Sequence, residues 1–162
     1  MLHQFWLLEE GIVSYSDYLK YMSRKDAPVN LHDDLLWYLA DSLSWIPTLN
    51  PAKPDFPPGY SINWFGPTII EQTGAMLLSQ ICLSWSQLFS NGPEHLQLRG
   101  LYTVQWPFDK EEHVLKEEQL SQLGHYHQLE LNRDECVEAL KTLAHFGEQT
   151  ATGKHFIMHL GV

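Results

Sequence analysis

Nine histidines are the side chains of this sequence most able to bind a metal ion. His125 and His127 are two residues apart, which places both on one face of a strand. His155 and His159 are four apart in a segment that we predict to be a strand, where they share a face but lie far from each other. No HExxH or CxxC spacing and no closely set carboxylate completes a ligand set. We therefore predict no metal site and no cofactor.

Residues other than histidine also form no recognisable catalytic motif. Cys82 and Cys136 each fall inside an apolar helical pattern, which indicates buried free thiols rather than nucleophiles or a disulfide. No GxSxG elbow and no glycine-rich phosphate loop is present. Adjacent acid pairs occur at 9–10, 33–34, 111–112 and 117–118, but neighbouring side chains on a helix or strand point in different directions. We predict that the protein is not an enzyme, with a small enzyme assembled from distant His, Asp and Glu residues as the remote alternative.

Charge and composition narrow the partner classes. Twenty acidic residues against ten Lys and Arg give a formal net charge of −10. This excess disfavours nucleic acid and anionic membrane surfaces. It favours a basic protein partner through long-range steering, although net charge also serves solubility alone. Glu9 and Glu10 interrupt the N-terminal apolar stretch, and no run of 18 apolar residues occurs, so we expect a cytoplasmic protein without signal peptide or membrane span.

Two segments are candidates for partner binding. One is a charged segment that is either simply exposed or meets cations on a partner; its acids are Asp109, Glu111, Glu112, Glu117 and Glu118. The other surrounds a rigid Pro-Pro-Gly turn at 57–59. Tyr60 and Trp64 in this second segment are predicted to anchor an interface, and packing of Trp64 or Phe65 in the core is the alternative.

From its length, the chain is expected to fold as one domain, residues 1–162, whose helices and strands position these side chains. Apolar spacing predicts helices at 14–22, from Asn30 as cap to Ile46, at 73–89 and from Asn132 onward. Strands are predicted at 60–65, at 96–104 with a bulge near Gly100, at 126–131 and at 156–160, while 2–8 is a strand or short helix. Residues 47–58 carry five prolines and predict an extended loop. The order predicts a mixed β-sheet packed by about four helices, an α/β fold with α+β as the alternative.

Three stretches together resemble the immunity proteins of bacterial polymorphic toxin systems, including contact-dependent inhibition and Rhs-type toxins. They are residues 64–71 with the helix at 77–89 and its central Ser84-Trp85, residues 133–146, and the ending 156–162. The resemblance covers about the C-terminal two-thirds and lies in layout rather than in a diagnostic motif.

This resemblance implies a protein that binds the C-terminal toxin domain of its own strain and blocks it by covering the active site. Many such toxins are nucleases with basic clefts, which an acidic inhibitor would cover. An adaptor for another partner is the main alternative, and gene context would separate the two, because an immunity gene lies directly downstream of its toxin gene.

Overall fold

The computed structural model describes residues 2–9, 20–21, 24, 26–104 and 124–161. These residues form an α+β domain with two antiparallel sheets. The strands are β1 Leu2–Glu9, β2 Val29–His32, β3 Pro47–Leu49, β4 Pro58–Tyr60, β5 Gly66–Ile70, β6 His95–Val104, β7 Gly124–Asn132 and β8 His155–Gly161. The helices are α1 Asp33–Leu43, α2 Gln72–Ser90 and α3 Arg133–Ala151.

The larger sheet has six strands in the order β2-β1-β8-β5-β3-β4. β1 and β8 are neighbouring interior strands and pair over most of their length, from His3 opposite Gly161 to Glu9 opposite His155. Side chains alternate along β8, so Ile157 enters the core shared with the helices while Met158 enters a smaller cluster on the other face. Both faces of the sheet are therefore buried at its centre.

Each of the three helices buries an apolar stripe in the core between the helices and the sheet, and this burial stabilises it. α1 buries Leu35, Leu36, Leu39 and Leu43, a stripe at helical spacing, and turns its other side outward. α2 and α3 pack against each other and against the sheet through residues such as Leu78 on α2 and Leu140, both 1% exposed. Because each helix has one apolar stripe and one sheet face to cover, the helical layer is one helix deep.

Several predicted elements are confirmed. The segment at 2–8 is a strand, and the strands predicted at 96–104, 126–131 and 156–160 are β6, β7 and β8. The bulge predicted near Gly100 is present, since the β6–β7 register shifts between Arg99 and Tyr102. Asn132 caps α3 as predicted, its Oδ1 accepting a hydrogen bond from the Glu135 amide at 3.0 Å.

Other predictions were wrong. Asn30 does not cap α1, because residues 29–32 pair with β1 and the helix begins after His32, whose ring accepts from the Asp34 amide. Only Tyr60 of the predicted strand at 60–65 is extended in the sheet, and the strand proper is β5. The proline-rich loop at 47–58 contributes β3 and the start of β4. The described residues contain three helices rather than about four; most of the predicted helix at 14–22 lies outside them.

Candidate functional site

The outward side of α1 carries aromatic residues where a helix surface is usually polar. Trp37 is 43% exposed and Tyr38 is 37% exposed, and Trp45 in the turn after the helix is 61% exposed. They lie there because the leucine stripe of α1 occupies the opposite side. We call these three residues, together with Trp64 and Trp85, the aromatic surface.

Ring contacts hold the aromatic surface together across three segments of the chain. Trp37 stacks on Trp64 from the loop before β5, with ring centroids 4.3 Å apart and planes 17° apart. Tyr38 meets Trp85 of α2 edge to face at 5.6 Å. The Trp85 indole donates a hydrogen bond to the Ser42 hydroxyl at 3.0 Å. The surface is therefore built on two helices and has little freedom to rearrange.

The loop that presents Trp64 is fixed by its own hydrogen bonds. The Asn63 side chain donates to the Pro67 carbonyl at 2.6 Å, and the Asn63 amide donates to the Thr68 hydroxyl at 2.8 Å. Gly66 follows with a backbone φ of 85°, a conformation that residues other than glycine rarely adopt. This turn leaves Phe65 80% exposed next to the half-buried Trp64.

A shallow cavity of about 280 Å³ opens beside Trp45, between α1 and α2. Its lining residues are Ser42, Trp45, Gln80, Ile81, Ser84 and Trp85. The walls are mostly apolar, with a few hydroxyl and amide groups at the edge. Such a cavity is suited to one side chain of a protein partner rather than to a large ligand.

The exposed face of α1 carries negative charge. Asp33 and Asp34 lie in its first turn and Asp41 lies on its exposed side, while the last turn holds no basic residue. Burial raises the Asp33 pKa, but the net shift is downward, and the charge of His32 and a hydrogen bond from the Asp34 amide contribute to that lowering. The charge of this face thus has the sign of the whole chain.

Two buried histidines lie beneath the aromatic surface. His3 and His159 are both fully buried, and His3 Nδ1 is 2.8 Å from His159 Nε2. His159 Nδ1 lies 3.3 Å from the Thr68 hydroxyl, and the His3 ring meets Trp64 edge to face at 5.1 Å. Burial lowers the pKa of His3 to about 4 and lowers that of His159 well below its ordinary value. Both rings are therefore neutral at pH 7, and His3 packs against Trp64 from inside the core.

The predicted partner-binding residues have different positions. Trp64 belongs to the aromatic surface, but it is half-buried and so also agrees in part with the alternative that it packs in the core. Tyr60, 72% exposed on the edge strand β4, makes no ring contact with that surface among the described residues and borders a separate cavity of about 390 Å³ near Glu71. Five predicted acids lie between β6 and β7, outside the described residues: Asp109, Glu111, Glu112, Glu117 and Glu118.

Four members of the aromatic surface were not predicted from the sequence, namely Trp37, Tyr38, Trp45 and the partly buried Trp85. A signal for the first two was present, because they fall off the leucine stripe at 35, 36, 39 and 43 and must therefore point outward. Trp85 gave no such signal, since it falls within the apolar face predicted for its helix.

The two cysteines and one cluster of possible metal ligands are the other reactive groups considered among the described residues. Cys82 and Cys136 are buried free thiols, as predicted. Burial raises the pKa of Cys82 to about 12 and also raises that of Cys136, so neither is activated as a thiolate. One group in this part of the chain has metal-binding atoms within 4.8 Å of one another, namely His32, Asp33 and Asp34 at the exposed start of α1.

Comparison of the chain with models of known protein families finds no match. Comparisons with curated proteins and with solved structures also find no match. Within the described residues, no helix is both long and apolar enough to cross a membrane.

Proposed function

We propose that this protein acts by binding another protein through the aromatic surface, and that the partner is the toxin domain of a bacterial polymorphic toxin system. Bound there, the protein would cover the active site of the toxin. The observation that carries the binding proposal is the set of exposed aromatic rings on and just after α1, two of which are in ring contact with partly buried tryptophans on α2 and in the loop before β5.

Exposed tryptophans on rigid helices are the residues that dominate protein interfaces. Tryptophan and tyrosine are enriched among the few side chains that supply most of the binding energy. Trp37 and Trp85 are already held by ring contacts, so they lose little conformational freedom on binding. The cavity beside Trp45 adds a shallow, mostly apolar pocket for a partner side chain.

Charge and resemblance support a toxin as the partner. A net charge of −10 suits a basic partner, and the acids of α1 put the same sign beside the aromatic rings. The resemblance of residues 64–71, 133–146 and 156–162 to immunity proteins supplies the class of that partner. In this proposal, aromatic anchors hold the complex and acidic side chains speed and orient association.

The function is tested by co-purifying the chain with the C-terminal domain of a toxin encoded immediately upstream of it. Calorimetric titration then measures stoichiometry and affinity, and an assay of the toxin measures inhibition. We expect one-to-one binding, nanomolar or tighter, with loss of toxin activity. An absence of binding, or binding without inhibition, would contradict the immunity proposal and favour an adaptor with another partner.

Trp45→Ala is expected to weaken toxin binding more than tenfold, because Trp45 is an exposed ring at the border of the cavity. Since the side chain is 61% exposed, we expect the fold to be retained, with thermal unfolding as the check. Tyr126→Ala is the matched control, an exposed aromatic residue on β7. Equal losses for the two variants in calorimetry would contradict the assignment of the surface.

A further inference from the structure

We infer that the outward face of α1 is a receptor for an arginine side chain, in which the Asp41 carboxylate pairs with the guanidinium group and the rings of Trp37 and Trp45 stack beside it. This inference rests on the proposed function in taking the ligand to be an arginine of a basic protein partner. It adds the chemistry by which that partner is recognised.

The spacing of the three residues carries the geometry. Trp37 and Asp41 lie four residues apart within α1, which aligns them on one side of the helix about 6 Å apart from Cβ to Cβ, and Trp45 follows four residues later in the turn after the helix. Ser44 keeps the right-handed helical conformation, with φ −64° and ψ −13°, and the Trp45 amide bonds the Ser42 carbonyl at 3.3 Å. Because this last bond spans three residues, the turn is tighter than the α-helix; in the inferred receptor, Trp37 on α1 and Trp45 in this turn flank the Asp41 carboxylate.

The charge of this site is uncompensated among the described residues. Asp34 is occupied by His32, whose ring lies 3.2 Å from its carboxylate. Asp41, by contrast, forms no ion pair with any described cation, although it is exposed. The carboxyl end of α1 carries the negative end of the helix dipole, and its last turn holds no basic residue. Both features attract a cation to the stretch between Asp41 and Trp45.

Arginine fits this arrangement better than lysine. The guanidinium group is planar, so it can form two hydrogen bonds to one carboxylate while it lies flat on an aromatic ring. Tryptophan is the ring that binds cations most strongly by its face. The apolar wall of the neighbouring cavity, formed by Ile81 and Trp85, can cover the methylene stem of the arginine.

The test uses the full chain, labelled with ¹⁵N, and three peptide probes: tetra-arginine, tetra-lysine and tetra-citrulline, the last an uncharged analogue of arginine. Shifts of the tryptophan indole N–H resonances report where each probe binds. We expect tetra-arginine to move the Trp37 and Trp45 signals and to bind at least threefold more tightly than tetra-lysine, because the two carry the same charge. Tetra-citrulline should leave both signals unchanged, and the buried Trp6 should not respond to any probe.

Asp41→Asn should weaken tetra-arginine binding about fivefold. Glu138→Gln on the exposed side of α3 is the control, since it removes the same charge elsewhere. Equal binding of arginine and lysine probes, or equal effects of the two variants, would show attraction by net charge alone and overturn the inference.

The failures of the two proposals are distinguishable. If tetra-arginine shows no preference while Trp45→Ala still abolishes toxin binding, the arginine receptor is wrong and the binding surface stands. If the probe binds as expected but no toxin domain binds the chain, the receptor stands and the immunity function is wrong.

Discussion

Lowering the pH from 7 to 5 is expected to reduce the free energy of unfolding by about 2 kcal/mol through His3 alone. The pKa of His3 is about 4 in the folded protein, against 6.5 for the ordinary side chain. Between pH 6.5 and 4, His3 therefore carries a proton in the unfolded chain but not in the folded protein. In this pH range, the free energy of unfolding falls by about 1.4 kcal/mol for each unit by which the pH is lowered. Stability is thus fully retained above pH 6.5 and falls as the pH drops toward 4.

His159 should add to this loss. Its pKa is also well below the ordinary value, because the ring is fully buried and faces His3. Protonation would place a charge in the core next to Phe5, whose ring centroid lies 4.8 Å from that of His159. For His3, burial lowers the pKa most, and the charge of Asp33 offsets only part of this cost by raising the pKa of that ring.

Urea unfolding between pH 7.5 and 4.5 measures the effect. His3→Gln removes one titrating ring, and we expect it to reduce the slope of stability against pH even if stability at pH 7 is lower. His145→Gln, an exposed position on α3, is the control and should leave the slope unchanged. A wild-type slope that His3→Gln does not alter would contradict the role given to this pair.

Gly147→Ala is expected to lower the free energy of unfolding by about 2 to 3 kcal/mol. Gly147 lies where α3 crosses α2, and a Cβ atom there would meet the Ala75 carbonyl oxygen at 2.6 Å and the Ser79 Cβ at 2.9 Å. Alanine ordinarily stabilises a helix interior relative to glycine. Here the steric conflict outweighs that gain, because one contact is backbone and the helices must separate to relieve it.

Urea unfolding of this variant is compared with Gly59→Ala on β4. A Cβ at Gly59 would meet no atom within 4 Å, so this control should change stability by less than about 0.5 kcal/mol. If Gly147→Ala were as stable as the wild type, the close packing of α2 against α3 would be wrong.

Local patterns in the sequence predicted the later half of the fold well. β7, α3 and β8 follow from alternation, from the Asn132 cap and from an apolar run, and each depends on signals within a few residues. The bulge near Gly100 was likewise read from local sequence. Such signals are short-range, so a single sequence contains them.

The errors arose where distant pairing decided the structure. Asn30 has the properties of a helix cap, yet residues 29–32 pair with β1 as a strand, and the helix therefore begins only at Asp33. Residues 61–65 are rich in aromatics and suggest a strand, but Trp64 instead leaves the sheet to stack on Trp37. Sequence pattern alone does not report which strand pairs with which, so these choices were not predictable.

The candidate site was predictable only in part. Trp64 was named from its loop, and its partner Trp37 becomes visible only when α1 and the loop are brought together. The buried pair of His3 and His159 joins residues 156 positions apart, which no local spacing reveals. The helical interval of Trp37, Asp41 and Trp45 was in the sequence, but its meaning depends on knowing which side of α1 faces outward.

Hydroxyl-radical footprinting of the protein, with and without the toxin domain, shows whether the partner binds the aromatic surface. Mass spectrometry reads the oxidation of each exposed aromatic side chain. We expect strong protection of Trp37 and Trp45 in the complex, with Tyr102 and Tyr126 on the β6–β7 hairpin oxidised as in the free protein. Protection of the hairpin tyrosines, with Trp37 and Trp45 unchanged, would contradict it and move the interface to the other sheet.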